Sequence, residues 1–240
     1  MLRLTLAVLL VALAIAAAAS LGAAAPGTRL RPVPVTPCRT EYGLPGQLKP
    51  PRVPKLMLAT APQERDGQLG FYSNGWLTVV APSGWRCSGI VGATGALFMT
   101  VVSPQARLTH GLPSSRTQAV NVYVASPGTG EVGIACALFP NVRPKPNPCT
   151  PMPAREKAVR LGPHVVAFED PPHVKGTGDP SGGLSPANGV MIYDGSKYPQ
   201  WAAEETCTLP ESQHRACTVI LNDFVRRYHV EPMRFYSRGA

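Results

Sequence analysis

Cys-x-x-Cys is missing from this chain, and so are His-x-His, His-Glu-x-x-His and any calcium-loop pattern. Those absences argue against a zinc site, a thioredoxin-type redox centre and a metal-dependent hydrolase, so neither metal nor cofactor is expected. Beyond residue 25 no run is apolar enough to cross a bilayer as a helix. Acids are scarce: 14 Asp and Glu stand against 23 Lys and Arg, a formal charge of +9. A balance of that sign favours anionic partners, and it also serves plain solubility, since most of the cations are scattered. No nucleic-acid partner is expected.

What is present begins with a leader. Arg3 precedes an apolar core from Leu4 to Ala19, and the small residues Ala23, Ala24 and Ala25 stand before Pro26. Residues 1–25 thus read as a signal peptide. The competing reading is an uncleaved anchor, because Leu4 to Ala25 is long enough to span a bilayer, and membrane contact is expected only in that case. The mature protein is expected to be secreted or extracytoplasmic and associated with the cell envelope. All six cysteines (Cys38, Cys87, Cys136, Cys149, Cys207 and Cys217) follow the leader. In an oxidising compartment they are expected to form three disulfides that staple the domain.

Two proline clusters organise the rest. Residues 26–55 carry Pro32, Pro34, Pro37, Pro45, Pro50, Pro51 and Pro54, with Arg29, Arg31, Arg39, Lys49, Arg52 and Lys55 against Glu41 alone. Such a stretch should be an extended, accessible basic arm rather than a helix, tied to the body through Cys38. A second cluster makes residues 140–153 a connector between a mainly β region, 56–139, and an α+β region, 154–240. Residues 56–240 are also readable as one domain.

The periodicity predicts the elements. Trp76 to Ala81, Trp85 to Val91 and Ala96 to Val102 are β-rich runs separated by Gly-containing turns, and they read as an antiparallel meander. Gln118 to Ala125 alternates, with Val120, Val122 and Val124 on one face. Glu131 to Phe139 has helical spacing and is stopped by Pro140, which predicts a short helix carrying Cys136. His164 to Phe168 and Gly189 to Tyr193 read as two further strands. Cys217, Ile220, Leu221, Phe224 and Tyr228 form the apolar stripe of a C-terminal amphipathic helix, with Asp223, Arg226 and Arg227 expected to face water. The fold class is therefore α+β.

The start of that helix is tied to a disulfide. Thr208, Pro210 and Glu211 resemble a capping box. A helix begun at Leu209 would put Cys217 about 12 Å along the axis. Bridged Cα atoms lie within roughly 7 Å, so the capping box and a Cys207–Cys217 bond exclude one another. The local bond is preferred, with the helix starting near Ser212 or His214.

Three constellations are candidate sites. Gly178-Asp179-Pro180-Ser181-Gly182-Gly183 resembles the nucleophile motif of chymotrypsin-like serine proteases, but Pro180 supplies no N–H where the oxyanion hole needs one. No catalytic residue is assigned on it. Glu169, Asp170, His173, Lys175 and Asp179 crowd one loop between predicted strands and would suit a ligand, an oxygen-rich cation site or a general acid and base, though they also read as a solvated loop. Trp76 and Trp85, with Asn74, Ser83 and Arg86 nearby, would suit a saccharide face, or else are packing residues.

Three segments carry a resemblance: Ala81 to Gly95 (APSGWRCSGIVGATG), Phe168 to Tyr193 (FEDPPHVKGTGDPSGGLSPANGVMIY) and Glu205 to Tyr228 (ETCTLPESQHRACTVILNDFVRRY). They resemble a family of uncharacterised exported proteins of high-GC actinobacteria. The resemblance implies an exported, cysteine-bonded domain whose Asp-Pro-Ser-Gly-Gly loop is its own rather than a damaged protease motif. It brings no activity. The expected function is a non-enzymatic extracytoplasmic module that binds an anionic cell-envelope polymer or a saccharide; the alternative is a secreted hydrolase using the 169–181 loop.

Overall fold

The computed structural model describes residues 30–43, 50–61, 64, 66–106, 108–109, 112–113, 118–125, 135, 138–139, 155–178, 182–194 and 201–228. In chain order the strands are β1 (Arg31–Pro37), β2 (Arg39–Tyr42), β3 (Leu56–Ala59), β4 (Leu69–Ser73), β5 (Thr78–Pro82), β6 (Arg86–Val91) and β7 (Leu97–Val102). There follow β8 (Leu108–Thr109), β9 (Leu112–Pro113), β10 (Ala119–Ala125), β11 (Lys157–Gly162), β12 (Val165–Asp170), β13 (Ala187–Asp194) and β14 (Trp201–Thr208). A helix, α1 (His214–Tyr228), comes last.

These strands form a four-stranded sheet, β3-β1-β4-β5, an eight-stranded sheet, β11-β12-β13-β14-β10-β7-β6-β2, and the small β8-β9 pair. The structure is mostly β with one C-terminal helix, an α+β protein. Strands from both sides of the second proline cluster share the large sheet, since β10 and β14 are direct neighbours. The cluster itself, 140–153, lies outside the described residues.

The expected meander holds only in part. β6 and β7 form an antiparallel hairpin and β7 pairs with β10, but β5 belongs to the other sheet, paired with β4. Between β5 and β6 the chain changes sheets, turning at Gly84, which takes a positive φ of 76°. Such a conformation favours glycine because a Cβ would clash. The predicted 131–139 helix falls largely outside the described residues; Ala135 and Leu138 are helical and, with Phe139, buried.

The described part of the arm is extended, as expected, and it is built into both sheets. β1 pairs antiparallel with β3 and parallel with β4, and β2 pairs parallel with β6. Its prolines are compatible with pairing because of side. Val35 donates its N–H to Lys55 toward β3 at 3.1 Å, so alternation turns the positions of Pro32 and Pro34 the other way. No ladder bond is lost there, because β4 pairs only with Val35–Pro37. Between β1 and β2 the chain passes from the small sheet to the large one at Cys38, and Cys38 is bonded to Cys87 of β6 with Cα atoms 5.3 Å apart. A disulfide at that crossing ties the arm to the body, as the sequence led us to expect.

One face of the large sheet, the four-stranded sheet and α1 enclose the main core, which gathers Phe71, Val79, Met99, Val101, Val120, Val122, Ile192, Ile220 and Phe224. Val120, Val122 and Val124 all point into it, as their alternation predicted. The opposite face carries a second cluster of Val166, Phe168, Met191, Tyr193 and Ala202 with Ala135, Leu138 and Phe139. Phe168 lies flat over its cross-strand partner Gly189, where a Cβ would come within 2.1 Å of the ring.

At the C-terminus the local disulfide prevails over the capping box. Cys207 and Cys217 are bonded with Cα atoms 5.6 Å apart, Glu211–Gln213 form a 3-10 turn without a side-chain cap, and α1 starts at His214. Cys217, Ile220, Phe224 and Tyr228 are buried along the predicted stripe. Asp223 departs from expectation. It is buried rather than facing water, because its position borders the stripe and its carboxylate accepts hydrogen bonds from Arg227 and Arg226.

Candidate functional site

The loop between β12 and β13 is held down by buried carboxylates. Glu156 accepts the backbone N–H of Thr177 at 2.7 Å, and Asp170 accepts that of Gly178, also at 2.7 Å. Gly176 is required beneath Asp170, since a Cβ there would fall 1.8 Å from its carboxylate. His173 adopts a positive φ of 61° and donates its N–H to the Gly183 carbonyl, closing the loop on itself.

The sequence-predicted residues of this loop are not gathered together. Glu169 and Asp170 are adjacent on β12, so they project to opposite faces. Glu169 pairs with Lys157 at 3.1 Å near the sheet edge, whereas Asp170 is buried. His173 is exposed. Asp179, with Pro180 and Ser181, lies outside the described residues.

A further acid stands on the same face as Asp170. Glu204 of β14 sits opposite Met191 of β13 and Tyr123 of β10. Burial first, then the charges of Asp170 and Glu156, push its pKa up to about 8, so its carboxyl holds a proton at neutral pH. Beside it Thr100 donates to Asn121 at 2.7 Å and Asn121 to Thr206 at 3.3 Å, a polar row crossing three strands. Glu205 turns to the helix side. Its pKa is raised well above the usual carboxylate value by burial and by Asp223, with Arg227 opposing. Arg227 itself lies over the Phe71 ring, 5.1 Å from its centroid.

Sequence reasoning passed over Glu204 and Glu205 because it placed no strand on 201–208. The signal that would have found β14 is the alternation of Ala202, Glu204 and Thr206 against Ala203, Glu205 and Cys207.

Trp76 and Trp85 lie at opposite ends of β5, about 16 Å of strand at ~3.3 Å per residue. Both are half-buried and pack against the main core. The Trp76 ring meets Tyr42 edge to face at 6.2 Å, and the Trp76 backbone N–H joins that of Leu77 in donating to the Asn74 side-chain oxygen. The Trp85 backbone N–H donates to the Tyr72 hydroxyl, and the Arg86 guanidinium donates to the Ala106 carbonyl.

The arm supplies the most open chemistry. Along the β1–β3 pair Val33, Val35, Met57 and Ala59 turn inward to the core, while Pro32, Pro34, Leu56 and Leu58 turn outward. Leu30, Leu56 and Leu58 are 54%, 56% and 53% exposed. Arg31, Arg39, Arg52 and Lys55 are exposed along the same arm, with Glu41 the acid among its described residues. The arm is fixed a second time where Pro51 passes the β4–β5 turn: a Cβ on Gly75 would meet the Pro51 carbonyl oxygen at 2.1 Å.

No protein-family model, no curated protein and no solved structure matches the chain. Among the described residues no helix is long and apolar enough to cross a membrane, and no group of three His, Cys, Asp or Glu side chains is placed to hold a metal ion.

Proposed function

We propose that the chain is an exported, envelope-associated binding module, held at anionic envelope groups through its basic arm. The observation that carries this reading is the exposure of Arg39 on β2, paired with β6 and anchored by the adjacent Cys38–Cys87 bond, together with that of Arg52 and Lys55 on the segment that leads into β3. Charges on a pre-ordered support lose little conformational freedom when they bind. The signal-like leader, the two disulfides and the resemblance to exported proteins support the compartment. Charge reversal is the test. Arg39→Glu with Arg52→Glu and Lys55→Glu should weaken retention on isolated cell-envelope material, and equal retention of variant and parent at low ionic strength would overturn the reading.

One observation favours a second reading, a secreted hydrolase working over the 169–181 loop. Glu204, protonated at neutral pH and only part-buried by surface, has the character of a proton donor. Turnover of an envelope polysaccharide by the parent that is lost in Glu204→Gln would support it; no turnover by the parent would remove it.

A further inference from the structure

The eight-stranded sheet ends at β11, and that edge is open. Every residue from Lys157 to Leu161 is exposed, and among the described residues no strand pairs beyond them. A free edge presents unpaired N–H and C=O groups, which proteins commonly blunt with charge. Both cations of β11 are instead turned back on their own chain. Lys157 pairs with Glu169 at 3.1 Å, and the Arg160 guanidinium donates to the Gly162 and Pro163 carbonyls at 3.1 and 2.7 Å. Meanwhile the core-side face runs out to the edge without a break. Val190, Ala167 and Val159 stand in one cross-strand row, and Ile192, Val165 and Leu161 make the next, with the β-bulge after Arg160 keeping Leu161 on that side. Val190, Ile192 and Val165 are buried, but Val159 and Leu161 are 62% and 58% exposed, since α1 packs on β13, β14 and β5.

The chemistry of this edge selects its occupant. Acyl chains cannot satisfy an open ladder, and a soluble polyanion would find both cations already engaged. An extended polypeptide supplies backbone hydrogen bonds and apolar side chains together. β11 is complementary to itself. When two copies pair antiparallel about a two-fold axis through Val159, that residue meets its own equivalent, Ala158 faces the equivalent of Arg160, and Lys157 faces that of Leu161. No like charges then stand opposite one another, and the apolar rows of the two copies join across the axis. Centring the pair on Arg160 would set two guanidinium groups face to face, and centring it on Ala158 would set Leu161 against Arg155. We infer that β11 docks a second copy of this chain, antiparallel and centred on Val159, so that two eight-stranded sheets become one continuous sheet. Five paired residues a side bury less than the ~1,000 Å² of a stable interface, so this dimer is weak and concentration-dependent. The inference is independent of the envelope reading above.

The experiment follows the disulfide-bonded mature protein over rising concentration by sedimentation velocity. The parent should pass from monomer to dimer with no larger species, since two-fold pairing consumes the edge. Val159→Lys sets two ammonium groups opposite one another at an exposed position and should raise the dimer dissociation constant about tenfold, with the circular dichroism unchanged. Cysteine pairing reads the register. Opposed Cα atoms lie about 4.5–5.5 Å apart, within disulfide reach, so Val159→Cys should cross-link to its own equivalent on mild oxidation, faster than Ala158→Cys or Arg160→Cys. Peptide mapping of the cross-linked dimer should still recover the Cys38–Cys87 and Cys207–Cys217 pairs. A parent that stays monomeric up to its solubility limit overturns the inference. A dimer that Val159→Lys leaves intact overturns it too, because the contact then lies elsewhere. Faster cross-linking at Ala158→Cys or Arg160→Cys than at Val159→Cys refutes the register and with it the complementarity on which the inference stands.

Discussion

The Tyr228 hydroxyl brackets the peptide of Thr78 from both sides, accepting its N–H at 2.9 Å and donating to its carbonyl at 3.0 Å. One phenol thus joins the last turn of α1 to the first residue of β5, and burial raises its pKa above the ordinary tyrosine value. Tyr228→Phe keeps the ring, which packs on Phe224 at 4.8 Å, and removes both bonds. The expected loss is about 1–3 kcal/mol of unfolding free energy, since the Thr78 N–H is left without its partner. Urea denaturation of the two proteins checks it; equal midpoints and slopes would contradict it.

The disulfide framework is expected to be complete in protein prepared under oxidising conditions. Peptide mapping without reductant should recover the Cys38–Cys87 and Cys207–Cys217 pairs seen here and a third peptide joining Cys136 to Cys149. Removing the Cys38–Cys87 bond by a double Ser substitution should cost about 2–5 kcal/mol and loosen the arm preferentially. A free thiol at any of the six positions in that preparation would count against the framework.

Stability should fall as the solution is made more alkaline through the range set by Glu204. Its carboxyl rises from 4.5 to about 8 on folding, so between those values the native state holds a proton that the unfolded chain has released. The contribution is whole below about pH 4.5, declines up to about pH 8 and is flat beyond, with a slope of at most about 1.4 kcal/mol per pH unit from this one group. Glu205 and Asp223 are raised as well and add slope of the same sign. Glu204→Gln should therefore flatten the decline, gaining on the parent at pH 8 relative to pH 5. Parallel stability profiles for variant and parent would show that Glu204 titrates normally.

Gly75→Ala probes how the arm is seated. The residue has a φ of 94°, and an added Cβ would run into the Pro51 carbonyl oxygen. The expected effect is a loss of about 1–3 kcal/mol together with faster amide exchange at Arg52 and Val53, as the segment lifts away from the β4–β5 turn. Unchanged exchange there would mean that the contact does not hold the arm.

The legible parts of the fold were those where the periodicity agreed with the final environment. α1 declares itself because Cys217, Ile220, Phe224 and Tyr228 repeat on one face, and β10 because its valines alternate. β14 was hidden for the opposite reason. Glu204 and Glu205 stand at the middle of a central strand, where residue type argues against burial, and their environment is created by β10, β13 and α1. The arm was legible in part. Its prolines signal an extended, accessible arm, and they gave no sign that it pairs within the sheets; Pro32 and Pro34 occupy positions where β1 needs no donor. Of the candidate site, Asp170 was named from sequence, but its proximity to Glu156 and Glu204 arises only when β12 and β14 are brought into one sheet.

The most direct measurement is the ionic-strength dependence of binding to isolated cell envelope, for the parent and for the variant carrying Arg39→Glu, Arg52→Glu and Lys55→Glu. Parent binding should fall steadily as salt is raised, because screening shortens the reach of exposed charges to about 10 Å at 0.1 M. The variant should bind weakly at every salt concentration, so that the two curves converge at high salt. A parent curve flat with salt, or a variant curve that overlies the parent at low salt, would contradict an envelope module held by its basic arm.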